Sequence, residues 1–123
     1  MHTFILQDYT TIRGVSGGTI IQNESGWLDL TPYQDLVFWT DVRDVQGGTV
    51  TFNFETSPTK DDALFANVIT GIGLAAATIR QDKALLGAAT VPVARFLRWK
   101  LEGPAAAWST TFRIYVAANS GGA

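Results

Sequence analysis

The sequence contains no cysteine and a single histidine, His2. Disulfide frameworks, cysteine-ligated zinc and thiol nucleophiles are therefore excluded. With His2 alone, a histidine-based catalytic site is not expected. Charge is also scarce. Only 16% of the 123 residues are Asp, Glu, Lys or Arg, against about 25% in an average soluble domain. Long apolar runs are missing as well, since no stretch approaches the roughly 20 residues of a membrane-spanning helix. The opening Met1-His2-Thr3-Phe4 lacks the basic start and apolar run of a secretion signal. The expectation is a protein made in a cytoplasm, with no membrane partner.

The 9 basic and 11 acidic residues leave a net charge of −2. A phosphate-binding surface needs a basic patch. Arg95, Arg98 and Lys100 form the one basic cluster and read as a solvated strand face, so no nucleic acid partner is expected. Where Lys and Glu would normally keep a free domain soluble, Thr and Ala stand instead. That exchange points to a surface covered in the working state, or to an ordinary Thr-rich strand face.

What is present is alternation of period two. In 108–117, Trp108, Thr110, Phe112, Ile114 and Val116 share one face, and Ser109, Thr111, Arg113 and Tyr115 the other. Residues 49–56 alternate likewise, with Val50, Phe52 and Phe54 inward and Thr51, Asn53 and Glu55 outward. Leu36, Val37, Phe38 and Trp39 are apolar on both faces, as in a central strand covered on both sides. In 93–101, Val93, Leu97, Trp99 and Leu101 share a parity that Phe96 breaks, which a β-bulge or a covered outer face would explain. Shorter strands are expected at 3–7, 19–22 and 27–30. Paired glycines, Gly17-Gly18 and Gly47-Gly48, precede β-branched runs as hairpin turns do.

Residues 61–68 are expected to form one short helical turn with Thr59 as N-cap and Asp61 and Asp62 at its positive end. Residues 69–81 read as a long connection with a short strand near 77–80. About eight short strands with turns every 8 to 12 residues indicate an all-β, antiparallel β-sandwich, jelly-roll-like by preference. It forms a single domain over 1–123, with residues 1–10 as an N-terminal arm and 119–123 as a frayed tail.

Chemistry-bearing patterns are few. There is no Gly-x-Ser-x-Gly elbow, no His-Glu-x-x-His and no phosphate-cradling glycine loop. Asp41, Asp44 and Glu55 are the acids available to a glycosidase pair, yet all three fall at strand ends or outward parities and read as solvated charges. Asp61 and Asp62 could offer oxygen ligands to calcium, but capping explains them without a metal. No catalytic residue, metal or cofactor is expected, and the chain reads as non-enzymatic. Trp27, Trp39, Trp99 and Trp108 share parity with aliphatic residues and read as core. Tyr9, Tyr33 and Tyr115 are better placed for exposure, and Tyr33 and Tyr115 are the candidate contacts for a glycan.

Three segments carry a resemblance. They are Val50-Thr51-Phe52-Asn53-Phe54-Glu55-Thr56-Ser57-Pro58 with Asp61, Asp62 and Phe65 behind it; Val93-Ala94-Arg95-Phe96-Leu97-Arg98-Trp99-Lys100-Leu101; and Thr111-Phe112-Arg113-Ile114-Tyr115-Val116. Together they cover roughly half the chain, which resembles the small β-sandwich proteins of phage and prophage virions, some of which decorate capsids. The ending is also similar to that of discoidin-like and carbohydrate-binding sandwiches. The resemblance transfers no functional residue. It implies a capsid decoration or stabilising protein, working by multivalent contact as a homo-oligomer such as a trimer on a major capsid protein. In that setting, residues 2–11 would pair with a neighbour's sheet edge. The alternative it implies is a carbohydrate-binding module.

Overall fold

The computed structural model of the chain describes residues 2–30, 33, 35–84 and 93–119. The strands in chain order are β1 (His2–Gly14), β2 (Thr19–Ile21), β3 (Leu28–Asp29), β4 (Asp35–Gln46), β5 (Val50–Ser57), β6 (Ala66–Leu74), β7 (Thr78–Ala84), β8 (Phe96–Glu102) and β9 (Trp108–Asn119). They form two antiparallel sheets: sheet one in the order β1-β9-β4-β7, and sheet two in the order β2-β8-β5-β6, with the two-residue β3 also on β8. With β3 set aside, the pairings nest. β1 pairs with β9, β2 with β8, β4 with β7 and β5 with β6. That pattern is one long hairpin rolled across two sheets, the wrapping of a jelly roll.

Inward parities from both sheets meet to form the core. Leu36, Phe38, Val42, Phe112, Ile114 and Val116 come from sheet one, and Val50, Phe52, Phe54, Leu97, Trp99 and Leu101 from sheet two. Aromatic rings join the layers. Phe38 stacks on Phe54 with centroids 4.2 Å apart, and Phe112 receives Phe52 and Trp99 edge-on at 5.3 and 5.4 Å. The turn at Gly47 and Gly48 is not the expected hairpin but a crossing from β4 in sheet one to β5 in sheet two, and the φ of +95° at Gly47 suits a residue without a Cβ.

Several sequence expectations need correction. The helical turn near 61–68 is a 3-10 turn of Asp62–Leu64 only, and its N-cap is Asp61, whose carboxylate accepts from the Ala63 N–H at 3.0 Å. Strand β6 begins at Ala66. Within the connection expected over 69–81, residues 69–74 instead belong to β6, while the short strand expected near 77–80 is the start of β7. The chain passes Gly71 at φ +75°, and the Gly71 N–H donates to Asn53 Oδ1. Residues 2–10 lie within β1, paired to β9 of the same chain. Asn119 ends β9, and 120–123 lie outside the described residues.

Candidate functional site

The outer face of sheet one is where exposed apolar and charged side chains meet. Cross-strand register sets its rows. Ile5, Tyr115 and Trp39 lie side by side across β1, β9 and β4, and Arg113, Asp41 and Ile79 form the next row across β9, β4 and β7. Trp39 is 39% exposed and Ile79 61%, and Ile5 and Tyr9 are exposed too. Trp39 and Ile79 border a groove of ≈ 470 Å³. Thr3 and Ala117 lie on one side of the Tyr115–Trp39 row, and Arg113, Asp41 and Ile79 on the other.

Asp41 anchors this face. It is only 5% exposed, and three donors converge on it. Tyr9 Oη and Arg113 Nε each donate to its Oδ2 at 2.9 Å, Arg43 Nη2 donates to the same oxygen at 3.1 Å, and Arg43 Nε stands 2.9 Å from Oδ1 as an ion pair. Burial alone would raise its pKa. The hydrogen bonds from Tyr9, Arg43 and Arg113 outweigh burial and hold the carboxyl below its ordinary 3.8. Arg113 also donates to Tyr115 Oη at 3.3 Å and lies over the Tyr9 ring, 4.5 Å from its centroid. The aromatic side chains of this face are thereby held in place by a charge network.

On the outer face of sheet two, Arg98 is 3% exposed. Its Nε donates to Glu55 Oε1 at 2.9 Å, and its Nη1 pairs with Asp62. The guanidinium lies 3.7 Å from the Phe65 ring centroid and 5.0 Å from that of Trp27. The turns Glu24–Gly26 and Asp62–Leu64 bring Trp27 and Phe65 over β8, and Phe96 on the same face is covered by Lys60 and Arg95. A covered outer face, rather than a bulge, explains the broken parity at Phe96.

The sequence-predicted residues divide accordingly. Asp41, Glu55 and Arg98 are buried and paired, not solvated as their outward parity suggested; Asp44 is exposed. Asp41 and Glu55 stand on the outer faces of different sheets and do not oppose each other across a cleft. Asp61 caps a turn and Asp62 pairs with Arg98. Among the described residues, no three metal-binding side chains cluster. Trp99 and Trp108 are core, but Trp39 is exposed and Trp27 half-buried. Both were expected inside. Tyr33 packs edge-on against His2 and Phe4, each at 5.4 Å. Phe4 pairs with inward Val116, so Tyr33 lies on the inner side of sheet one and Tyr115 on its outer side. The structure does not bring these two tyrosines together. Sequence reading missed Trp39 and Ile79: the parity Trp39 shares with Asp41 in β4 was the one signal available, and Ile79 joins them only through cross-strand register.

No family model and no curated protein matches the chain. Solved structures do resemble it. The infectious bursal disease virus Gx strain structure superposes with a TM-score of 0.54 at 14% identity, over 98% of this chain and 33% of that one. The VP2 subviral particle of the same virus gives 0.53 at 13%, over 98% and 33%. The K1 cleaved adhesin domain of Lys-gingipain from Porphyromonas gingivalis W83 gives 0.51 at 14%, over 96% and 98%. The chain thus spans about a third of the viral chains and nearly all of the adhesin domain. At these identities the likeness is one of fold, an antiparallel β-sandwich that viral capsid chains and a bacterial adhesin domain share.

Proposed function

We propose that the chain is a non-enzymatic structural protein of a phage virion, made in the host cytoplasm, that decorates or stabilises the capsid through multivalent protein–protein contact. The observation carrying this reading is the outer face of sheet one, where Ile5, Tyr9, Trp39 and Ile79 are exposed together. Large apolar side chains gathered on one face of a sheet mark an interaction surface. The charges among them are already paired with one another at Asp41, so covering the face strands no carboxylate. Jelly rolls serve both capsid and lectin domains, so the fold supports the reading without deciding it.

The edges of sheet one support it further. Along β7, Arg80 and Asp82 sit on the inward parity and pair with each other at 3.0 Å, a device that blocks strand addition. The 13 residues of β1 carry only Asp8 and Arg13 as formal charges besides His2, leaving that edge open to a neighbour's strand. The partners in this reading are further copies of the chain, as a trimer, and a major capsid protein. Contacts of modest strength then add up through repetition on the shell.

Sedimentation of the purified chain, together with mass spectrometry of purified virions, tests the reading. Self-association that Trp39→Ser/Ile79→Ser abolishes, with the chain present in virions, is the expected result. A strict monomer absent from virions would overturn it.

A further inference from the structure

A second, separate feature lies on the flank where the β1 edge of sheet one faces the β2 edge of sheet two. A pocket of ≈ 350 Å³ opens there, lined by Gln7, Thr10 and Ile12 of β1, Ile20 and Ile21 of β2, residues 22, 23, 25 and 26, and Trp99 of β8. We propose that this pocket binds a neutral pyranose. The proposal does not rest on the assembly role above, although the β1 edge named there borders the same flank.

The lining selects the ligand class. None of these side chains is ionisable near neutral pH, so an anion or cation entering the pocket would lose water without meeting a counter-charge. Thr10, Asn23 and Ser25 bring an amide and hydroxyls, which a wholly apolar ligand would leave unpaired. Ile12, Ile20, Ile21 and Trp99 supply the apolar remainder. A sugar ring, with its hydroxyl rim and C–H faces, meets both halves, and the volume falls in the range of roughly 300–1,000 Å³ usual for small-molecule sites.

The back wall is built rather than incidental. Gln22 is 3% exposed, and each end of its amide is fixed. Its Nε2 donates to the Leu6 carbonyl at 2.6 Å and to the Gly26 carbonyl at 3.0 Å, and its Oε1 accepts from the Trp99 N–H at 3.2 Å. Gln7 Oε1 accepts from the Trp99 indole N–H at 3.0 Å. A Cβ on Gly26 would come within 2.7 Å of Gln22 Nε2, so the glycine keeps this wall in place. At the rim, the side chains of Thr10, Asn23 and Ser25 make no hydrogen bond among the described residues, and Asn23 leaves its turn uncapped by its side chain. Preorganised walls with unengaged polar groups at the mouth are what a sugar's hydroxyls require.

The test is protein-observed NMR on the full chain, titrated with the methyl glycosides of glucose, galactose, mannose and N-acetylglucosamine, and with glucuronate as the charged control. At least one neutral glycoside should shift the amides of Gln22, Asn23 and Ser25 and the Trp99 indole N–H, with glucuronate binding at least about tenfold more weakly. The Thr10→Val/Asn23→Ala variant should lose about fivefold in affinity for each hydrogen bond removed, while the free protein's Trp99 indole signal stays in place. Asn23→Ala alone, at an exposed position, keeps the test usable if the double variant fails to fold. An oligosaccharide ending in the same sugar, tested alongside, separates a surface glycan from a free sugar. Absence of shifts for every neutral glycoside, shifts confined to Trp39 and Tyr115, or unchanged binding by Asn23→Ala would each overturn the proposal.

Discussion

Arg98 shows what a single side chain needs in order to carry charge in a buried position. Its guanidinium lies over Phe65 and beside Trp27 and is held by Glu55 and Asp62. Without it, Glu55 would keep only Lys100, at 3.8 Å. Arg98→Met should therefore destabilise the fold by about 3 kcal/mol, with much of that loss recovered in Arg98→Met/Glu55→Leu. Urea denaturation of the two variants measures both, and a cost below about 1 kcal/mol for the single change would contradict the geometry. Asp41 carries a pH dependence. Its folded-state pKa lies below the ordinary 3.8, so its contribution is complete above about pH 4 and is lost as pH falls through the folded value. The gap in melting temperature between the native chain and Asp41→Asn should be widest near neutrality and close steadily in acid. A gap that is constant down to pH 2 would rule this out.

Among the elements, some strands were legible in the sequence and others were not, for a physical reason. Strands β5 and β9 alternate cleanly because each has one face on the core and one polar face, and their bounds agree with the expected 49–56 and 108–117 to within a residue or two. Strand β6 lies at the edge of sheet two and contains Gly71 and Gly73. Its residues satisfy backbone pairing more than packing, so hydrophobic period has little to report there. Charges on the outer faces were misread for a related cause. Period two tells which face a residue takes, but not whether a turn from elsewhere will fold over that face, as those carrying Trp27 and Phe65 do. The turns themselves can be tested in pairs. A Cβ at Gly47 would lie 2.2 Å from the Ala107 carbonyl oxygen, whereas Gly17 at φ +66° has nothing within 4 Å. Gly47→Ala should cost about 3 kcal/mol and Gly17→Ala about 1 kcal/mol. Thermal melts that ranked them equally would show that the clash relaxes freely.

At the scale of the whole molecule, a nested hairpin gives a sandwich whose two sheets have unlike outer faces. That of sheet two carries the buried Arg98–Glu55 pair under two turns, while that of sheet one leaves Trp39 and Ile79 open. Association through sheet one should then depend on apolar burial more than on charge, since Asp41 pairs with both Arg43 and Arg113 and the cluster keeps a single net positive charge. Sedimentation should find the assembled fraction little changed between low and about 0.5 M salt, where screening is strong. A steep loss with salt would assign the contact to charge instead.

By itself the sequence determined the class of the protein. Alternation with almost no period of 3.6, paired glycines before β-branched runs, and the absence of cysteine and of all but one histidine are local facts, and they suffice for an antiparallel sandwich without thiol chemistry. Its low charge pointed to a covered surface but could not say which one. Tertiary structure alone decided which outer face the chain's own turns cover and which stays open, because that depends on strand order and on turns distant in sequence. The register that sets Ile5, Tyr115 and Trp39 in one row joins β1, β9 and β4 across the whole chain, and no window of residues contains it.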